Sequence, residues 1–242
     1  MSSRPNAIAN TESFEFDALA QAANYRVALL REFAPVLKGR VAEVGAGIGQ
    51  FTEEITTLPA VSDILAIEPE GKFCEKFRSR LPGRNIIEGT IDNVPATFQP
   101  DAIVCVNVLE HIEKDVVELG KFHSRLLSQH GHLCLFVPAR PEIYAPIDKD
   151  FGHFRRYTKP ELRKKISDAG FTIRRLDYFN SFGYFAWWLS FCVLKKREFD
   201  VGSVRVFDRF IFPVVHALET RLVRPPFGQS LIAIAQAEQP RS

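Results

Sequence analysis

One stretch narrows the fold more than any other: Val41-Ala42-Glu43-Val44-Gly45-Ala46-Gly47-Ile48-Gly49-Gln50-Phe51-Thr52. A short apolar run over 40–44 reads as a strand. Three glycines follow at alternate positions, and a helical pattern covers 50–58. Glycines at a strand-to-helix turn let the chain reverse tightly and let a ligand approach the backbone. The spacing is Gly-x-Gly-x-Gly. The dinucleotide fingerprint Gly-x-Gly-x-x-Gly is missed by one place, because position 50 is Gln.

The rest of the chain alternates in the same way. Strands are predicted at 63–68, 85–88, 101–106, 132–137, 171–179 and 230–237. Helices are predicted at 14–37, 69–81, 114–129 and 160–169. This alternation argues for an α/β fold, a mostly parallel sheet covered on both faces. Some fifty residues between 179 and 230 are too many for a structureless loop in a compact domain, so they read as a helical insertion. The chain divides into an N-terminal helical segment (1–39), an α/β core (40–179), an aromatic helical insertion (180–229) and a last strand with its tail (230–242).

Charge excludes one class of partner. The 31 basic and 29 acidic side chains leave +2, which gives no strong field and no footprint for nucleic acid. The four cysteines form no close pair, so no metal is expected from them and a reducing cytoplasm suits them. The first thirty residues hold no secretory signal. The charge-free stretch 178–194 falls short of the ~20 apolar residues that a membrane span needs.

Two acids frame the glycine loop. Glu43 lies two residues before Gly45. A carboxylate there repels a pyrophosphate and attracts a ligand carrying ammonium and sulfonium cations. Glu68 ends the second strand, where an acid can accept from both ribose hydroxyls. Gly89-Thr90-Ile91 follows the third strand and could flank an adenine, with Asp92 as acceptor for its amino group. Asn107-Val108-Leu109-Glu110-His111-Ile112 follows the fourth strand, at the carboxyl edge where open α/β sheets bind ligands.

Taken in this order, Glu43–Gly49, Glu68 and Asn107–Ile112 resemble the class I S-adenosylmethionine-dependent methyltransferases, over about 40–179. The Val-Leu-Glu-His-Ile loop looks like that of small-molecule members. The resemblance implies a doubly wound seven-stranded Rossmann-like sheet of order 3-2-1-4-5-7-6, with the last strand antiparallel. It implies S-adenosylmethionine as cofactor and S-adenosylhomocysteine as product. Cofactor contacts are expected from Glu43, Gly45, Ala46, Gly47, Gly49, Glu68, Pro69, Thr90, Ile91, Asn107 and Val108. Tyr25, on the leading helix, is expected to cover the site. Gly89-Thr90 departs from the Gly-Asp or Asp-Ala of many relatives. The Asn/Asp-Pro-Pro-aromatic motif of nucleic-acid amino methyltransferases is absent after the fourth strand.

Methyl transfer asks a protein to align the acceptor, exclude water and take any proton the acceptor gives up. The long loop after the fifth strand, Pro138 to Thr158, carries His153, Arg155, Arg156, Tyr144 and Tyr157. Thr158 with Glu161 forms a capping box and needs no chemical role. His153 and His111 are the candidate catalytic residues. Tyr144, Arg155, Arg156, Tyr157, Trp187 and Trp188 are the candidate acceptor contacts. The insertion admits three readings: a wall for an apolar acceptor pocket, a homodimer face, or a peripheral membrane contact through 182–197 with Lys195-Lys196-Arg197 at the headgroups. A membrane contact would place a cytoplasmic protein on the inner face of the membrane.

The function expected is methylation of a small-molecule acceptor, apolar or linked to a lipid or glycan, at oxygen first and nitrogen second. The alternatives are a nicotinamide-dependent oxidoreductase, disfavoured by the glycine spacing and Glu43, and a non-catalytic membrane-associated cofactor-binding protein.

Overall fold

The computed structural model describes residues 21–198, 200–221 and 225–238. Residues 14–20 of the predicted first helix lie outside the described residues. The helix seen there, α1 (Ala23–Phe33), stops before Pro35. Proline has no N–H to donate, so the helical ladder cannot continue through it.

The core follows as β1 (Gly39–Val44), α2 (Gln50–Ile55), β2 (Val61–Glu68), α3 (Gly71–Arg80), β3 (Asn85–Glu88), β4 (Ala102–Val106), α4 (Asp115–Leu126), β5 (His132–Pro138), α5 (Pro146–Asp150), α6 (Lys159–Asp168) and β6 (Phe171–Phe179). After the insertion comes β7 (Ser230–Ala237). The seven strands form one sheet in the order β3-β2-β1-β4-β5-β7-β6. β7 runs antiparallel to both neighbours, and the other pairs are parallel. The fold expected from the resemblance is the fold observed.

Side chains alternate between the sheet's two faces, as strand geometry requires. Ala42, Val44, Ile103 and Cys105 enter one core with Leu119 and Phe122 of α4 and Leu162 of α6. Val41, Ala102 and Val104 enter the other with Leu29 and Phe33 of α1 and Ile55 of α2. Both faces are dry, which is why β4 reads as a continuous apolar run. Strand order reverses between β1 and β4. Open α/β sheets place their ligand crevice at that point, beyond the carboxyl ends of the strands.

The insertion is helical. α7 (Ser181–Trp187) passes into a π-helical turn (Trp188–Val193). α8 (Val201–Val206) passes through another (Phe207–Ile211) into α9 (Phe212–Arg221). Asn180 ties its two ends together. The Asn180 Nδ2 donates to Gln229 Oε1 at 3.1 Å, and its Oδ1 accepts from Gly183 N at 2.9 Å. The insertion is also tied to α1. Buried Asp208 accepts from the backbone N–H groups of Asn24 and Tyr25 at 3.0 and 2.9 Å. A carboxylate at a helix N-terminus satisfies donors that the helix itself cannot.

Candidate active site

Two cavities meet above the carboxyl edge of the sheet. The first, of about 340 Å³, is floored by the glycine loop and closed over by Tyr25 and Arg26 of α1. The second, of about 450 Å³, lies under the insertion. Tyr25, Asn107, Phe136 and Phe151 line both. Asn107 adopts a left-handed φ of 53° at the end of β4, which turns the chain sharply at the junction.

The glycine loop is held close. Gly45 has φ of 73°. A Cβ on it would fall 2.2 Å from Val108 Cγ2, so the loops after β1 and β4 touch only because no side chain intervenes. Glu68 braces the loop from β2. Its Oε2 accepts from Gly47 N at 2.8 Å, and its Oε1 accepts from Glu70 N at 3.0 Å. A carboxylate offers about four acceptor sites, and two of them serve the backbone.

Glu43 lies buried on the wall of the first cavity and accepts from Thr52 Oγ1. Burial pushes its carboxyl up to about 8; the Thr52 hydrogen bond opposes this and the nearby Glu68 charge adds to it. The folded protein keeps a proton that the unfolded chain releases above 4.5, so this group's contribution falls as pH rises from 4.5 to about 8. A cationic ligand beside Glu43 favours its ionised form. Binding such a ligand at pH 6.5 is therefore expected to release up to about one proton. Calorimetry in buffers of different ionisation enthalpy reads that number, and Glu43→Gln should abolish it. Equal proton release in the variant would remove Glu43 from the cation's surroundings.

The wall between the cavities is built from the loops after β4 and β5. Asp148 is fully buried. It accepts from Ala145 N at 2.8 Å, Arg156 Nε at 2.9 Å and His153 Nδ1 at 3.0 Å. Burial alone would raise its carboxyl, but the bonds and charges of His153 and Arg156 hold it below the ordinary carboxylate range. An ionised carboxylate only accepts, so Nδ1 of His153 carries a proton, and in the neutral ring Nε2 holds the lone pair. That Nε2 lies 4.0 Å from Glu110 Oε1. His111 meets His153 edge to face, ring centroids 4.6 Å apart. Burial and the neighbouring His153 push His111 down to about 4. His111 lines the first cavity, and Glu110 and His153 line the second. Across the second cavity stand Trp187 and Phe191. The Arg156 guanidinium lies 4.3 Å above the Trp187 ring.

Most of the residues that the sequence marks as candidates gather here. Tyr25, Glu43, Gly45, Ala46, Glu68, Pro69, Asn107, Val108 and His111 line the first cavity, and His153, Arg156 and Trp187 line the second. Gly47 and Gly49 shape the loop from beneath, both at positive φ. Others lie elsewhere. Thr90 accepts from Asp92 N at 3.4 Å, and its own N–H is taken by Asn93 Oδ1 at 2.8 Å, so it caps a turn. Ile91 is in the core. Asp92 pairs with Lys121. Tyr157 is fully buried, its hydroxyl 2.9 Å from Asp115 Oδ2. Arg155 pairs with the same Asp115 at 2.7 Å, which makes both residues braces of the loop. Tyr144 donates to the His153 carbonyl at 2.7 Å. Trp188 is 47% exposed and faces outward. Glu110 and Asp148 are site residues that the sequence does not mark by themselves. No local pattern shows that a lone acid in a loop is buried.

Comparison with known proteins agrees with this geometry. Residues 42–135 match the family model described as a methyltransferase domain. An uncharacterised methyltransferase of Oceanobacillus iheyensis is 30% identical over 101 residues, covering 40% of this chain and 46% of that protein. The chain thus spans about half the length of the curated relative it matches. Among solved structures, a methyltransferase of Haloferax volcanii in complex with the Trm112 methyltransferase activator has a TM-score of 0.63 at 15% identity, covering 97% of this chain and 96% of that one. An S-adenosylmethionine-dependent methyltransferase of Mesorhizobium loti has a TM-score of 0.58 at 16% identity, covering 86% and 95%. The fold is that of the class I S-adenosylmethionine-dependent methyltransferases.

Proposed function

We propose that the protein transfers a methyl group from S-adenosylmethionine, held in the first cavity, to an oxygen of a small acceptor held in the second. The observation that carries this reading is the junction of the two cavities at Asn107, with His111 on one side and Glu110 and His153 on the other. When bound, S-adenosylmethionine supplies a methyl carbon already activated by its sulfonium. The residues present fit it. Glu43 faces the cations, Glu68 faces the ribose, and the glycine loop allows close approach of the backbone. Tyr25 and Arg26 close the first cavity and exclude water. The cluster of Glu110, His111 and His153 meets the acceptor's reacting oxygen and handles its proton. Trp187, Phe191 and Phe207 wall the rest of the second cavity, so the acceptor has a polar end and an apolar body.

The outer face of the same insertion points to where such an acceptor resides. Phe185, Trp188, Leu189, Leu194, Phe210 and Val214 are all exposed, Phe210 by 64%. Exposed Lys195 follows this apolar run directly, while Lys196 lines the second cavity and Arg197 pairs with Asp150. Apolar surface beside a basic run suits an anionic membrane surface. No helix among the described residues is long and apolar enough to cross a membrane. In this reading the protein rests on the bilayer and draws a lipid-linked acceptor through the insertion.

Two assays test the proposal. Incubation with methyl-labelled S-adenosylmethionine and a membrane extract should label a lipid-soluble product; label confined to protein or nucleic acid would contradict it. The protein should sediment with anionic vesicles at low salt, and Trp188→Glu with Phe210→Glu should abolish this. Equal sedimentation of the double variant would remove the insertion from the contact.

A further inference from the structure

We propose that Glu110, His111 and His153 together bind one divalent transition-metal ion at the base of the acceptor cavity, and that the ion grips an acceptor carrying two adjacent oxygens. The inference rests on the methyltransferase reading for its acceptor but not for the metal site itself.

Three observations carry it. One ligand atom from each of the three residues lies within 4.8 Å of the others. A metal sits about 2.1 Å from nitrogen and oxygen ligands, which places them about 3.0–3.4 Å from one another, so the widest pair has to close by roughly 1.5 Å, a movement that side-chain rotation supplies. Secondly, His153 Nε2 is buried and has no hydrogen-bond partner among the described residues. A buried acceptor nitrogen left in that state is costly. Asp148 at 3.0 Å from Nδ1 fixes the tautomer that points the Nε2 lone pair into the cluster. A carboxylate behind a histidine is the usual support of a metal-binding imidazole. Thirdly, the Glu110 side chain is fully buried beside the two rings.

The donor set selects the ion. Two imidazoles and one carboxylate suit first-row transition metals such as zinc, manganese, iron or cobalt. Magnesium and calcium prefer oxygen donors. Three protein ligands leave coordination positions open, and the acceptor cavity is what they open onto. Two neighbouring oxygens, as in a catechol or a vicinal diol, fill two such positions at once. This also accounts for the acceptor's proton. An oxygen bound to a cation ionises more readily, so the cluster that holds the ion also eases loss of the acceptor's proton.

The test is a titration of cobalt(II) into the full-length, metal-stripped protein, followed by visible absorption. One equivalent should bind, and added catechol should alter the spectrum. Glu110→Gln and His153→Ala should each weaken binding at least about tenfold, with circular dichroism confirming that both fold. His130→Asn, at an exposed histidine outside the cluster, should bind as the parent does. Failure to saturate at one equivalent, or equal binding by Glu110→Gln and His153→Ala, overturns the site. A spectrum indifferent to catechol overturns the acceptor class. S-adenosylhomocysteine binding by the same stripped protein separates the two readings. If it binds and cobalt does not, the metal site falls and the methyltransferase stands. If cobalt binds and S-adenosylhomocysteine does not, the metal site stands and the methyltransferase reading falls.

Discussion

Replacing His153 with alanine should lower turnover on the acceptor by roughly 10²–10⁴-fold, the range for losing a group that manages a proton at the reacting atom. Affinity for S-adenosylhomocysteine should hold, because His153 lines the second cavity and not the first. The ring is poised for the task. Asp148 fixes its tautomer, and Arg156 holds Asp148 from the far side. The alternative is a loop histidine that merely satisfies Asp148. In that case the variant would lose stability and keep its turnover. Single-turnover methyl transfer on the acceptor, read beside a thermal melt, separates the two. Unchanged turnover would return His153 to the loop.

Replacing Glu68 with alanine should cost roughly 2–4 kcal/mol of cofactor binding, the worth of a charge-assisted pair of hydrogen bonds. That is a loss of roughly 30- to 1,000-fold. Part of it comes through the backbone, because Glu68 also receives the Gly47 and Glu70 N–H groups. Without the carboxylate the glycine loop loses its brace from β2. Glu68→Gln should fall between the two, since an amide oxygen can replace one acceptor but not the charge. Titration calorimetry with S-adenosylhomocysteine measures both variants. Parent-like affinity in Glu68→Ala would reduce the residue to a structural brace.

The fold was legible because its signals are periodic. Parallel strands buried on both faces leave continuous apolar runs, and 101–106 announces β4 with almost no ambiguity. The glycine loop was legible because its spacing and its place between a strand and a helix coincide. The acceptor side was harder, since adjacent residues there point in different directions. Arg156 turns inward to Asp148 while Arg155 turns outward to Asp115. Trp187 and Trp188 are neighbours on a helix, where successive side chains differ by about 100°. Only one of them can face the cavity, and the sequence does not say which. Tyr157 reads as an acceptor contact because it lies on the long loop after β5. It is a core residue whose hydroxyl finds a buried acid. Asp148 was silent for the converse reason, and Glu110 entered only as part of the Asn107–Ile112 loop, since burial of an isolated acid is decided by long-range packing. Thr90 and Ile91 sit near the expected position but are used for a cap and for the core.

The central claim is that the first cavity takes S-adenosylmethionine and not a dinucleotide, and thermal melting with each ligand tests it directly. At about 100 times its Kd, S-adenosylhomocysteine should add about 2.7 kcal/mol to the folded state. For a chain of this size that is a rise in Tm of roughly 5–10 °C. NAD at the same concentration should leave Tm where it was, because the glycine loop misses the dinucleotide spacing by one place, position 50 being Gln. A rise with NAD and none with S-adenosylhomocysteine would contradict the assignment.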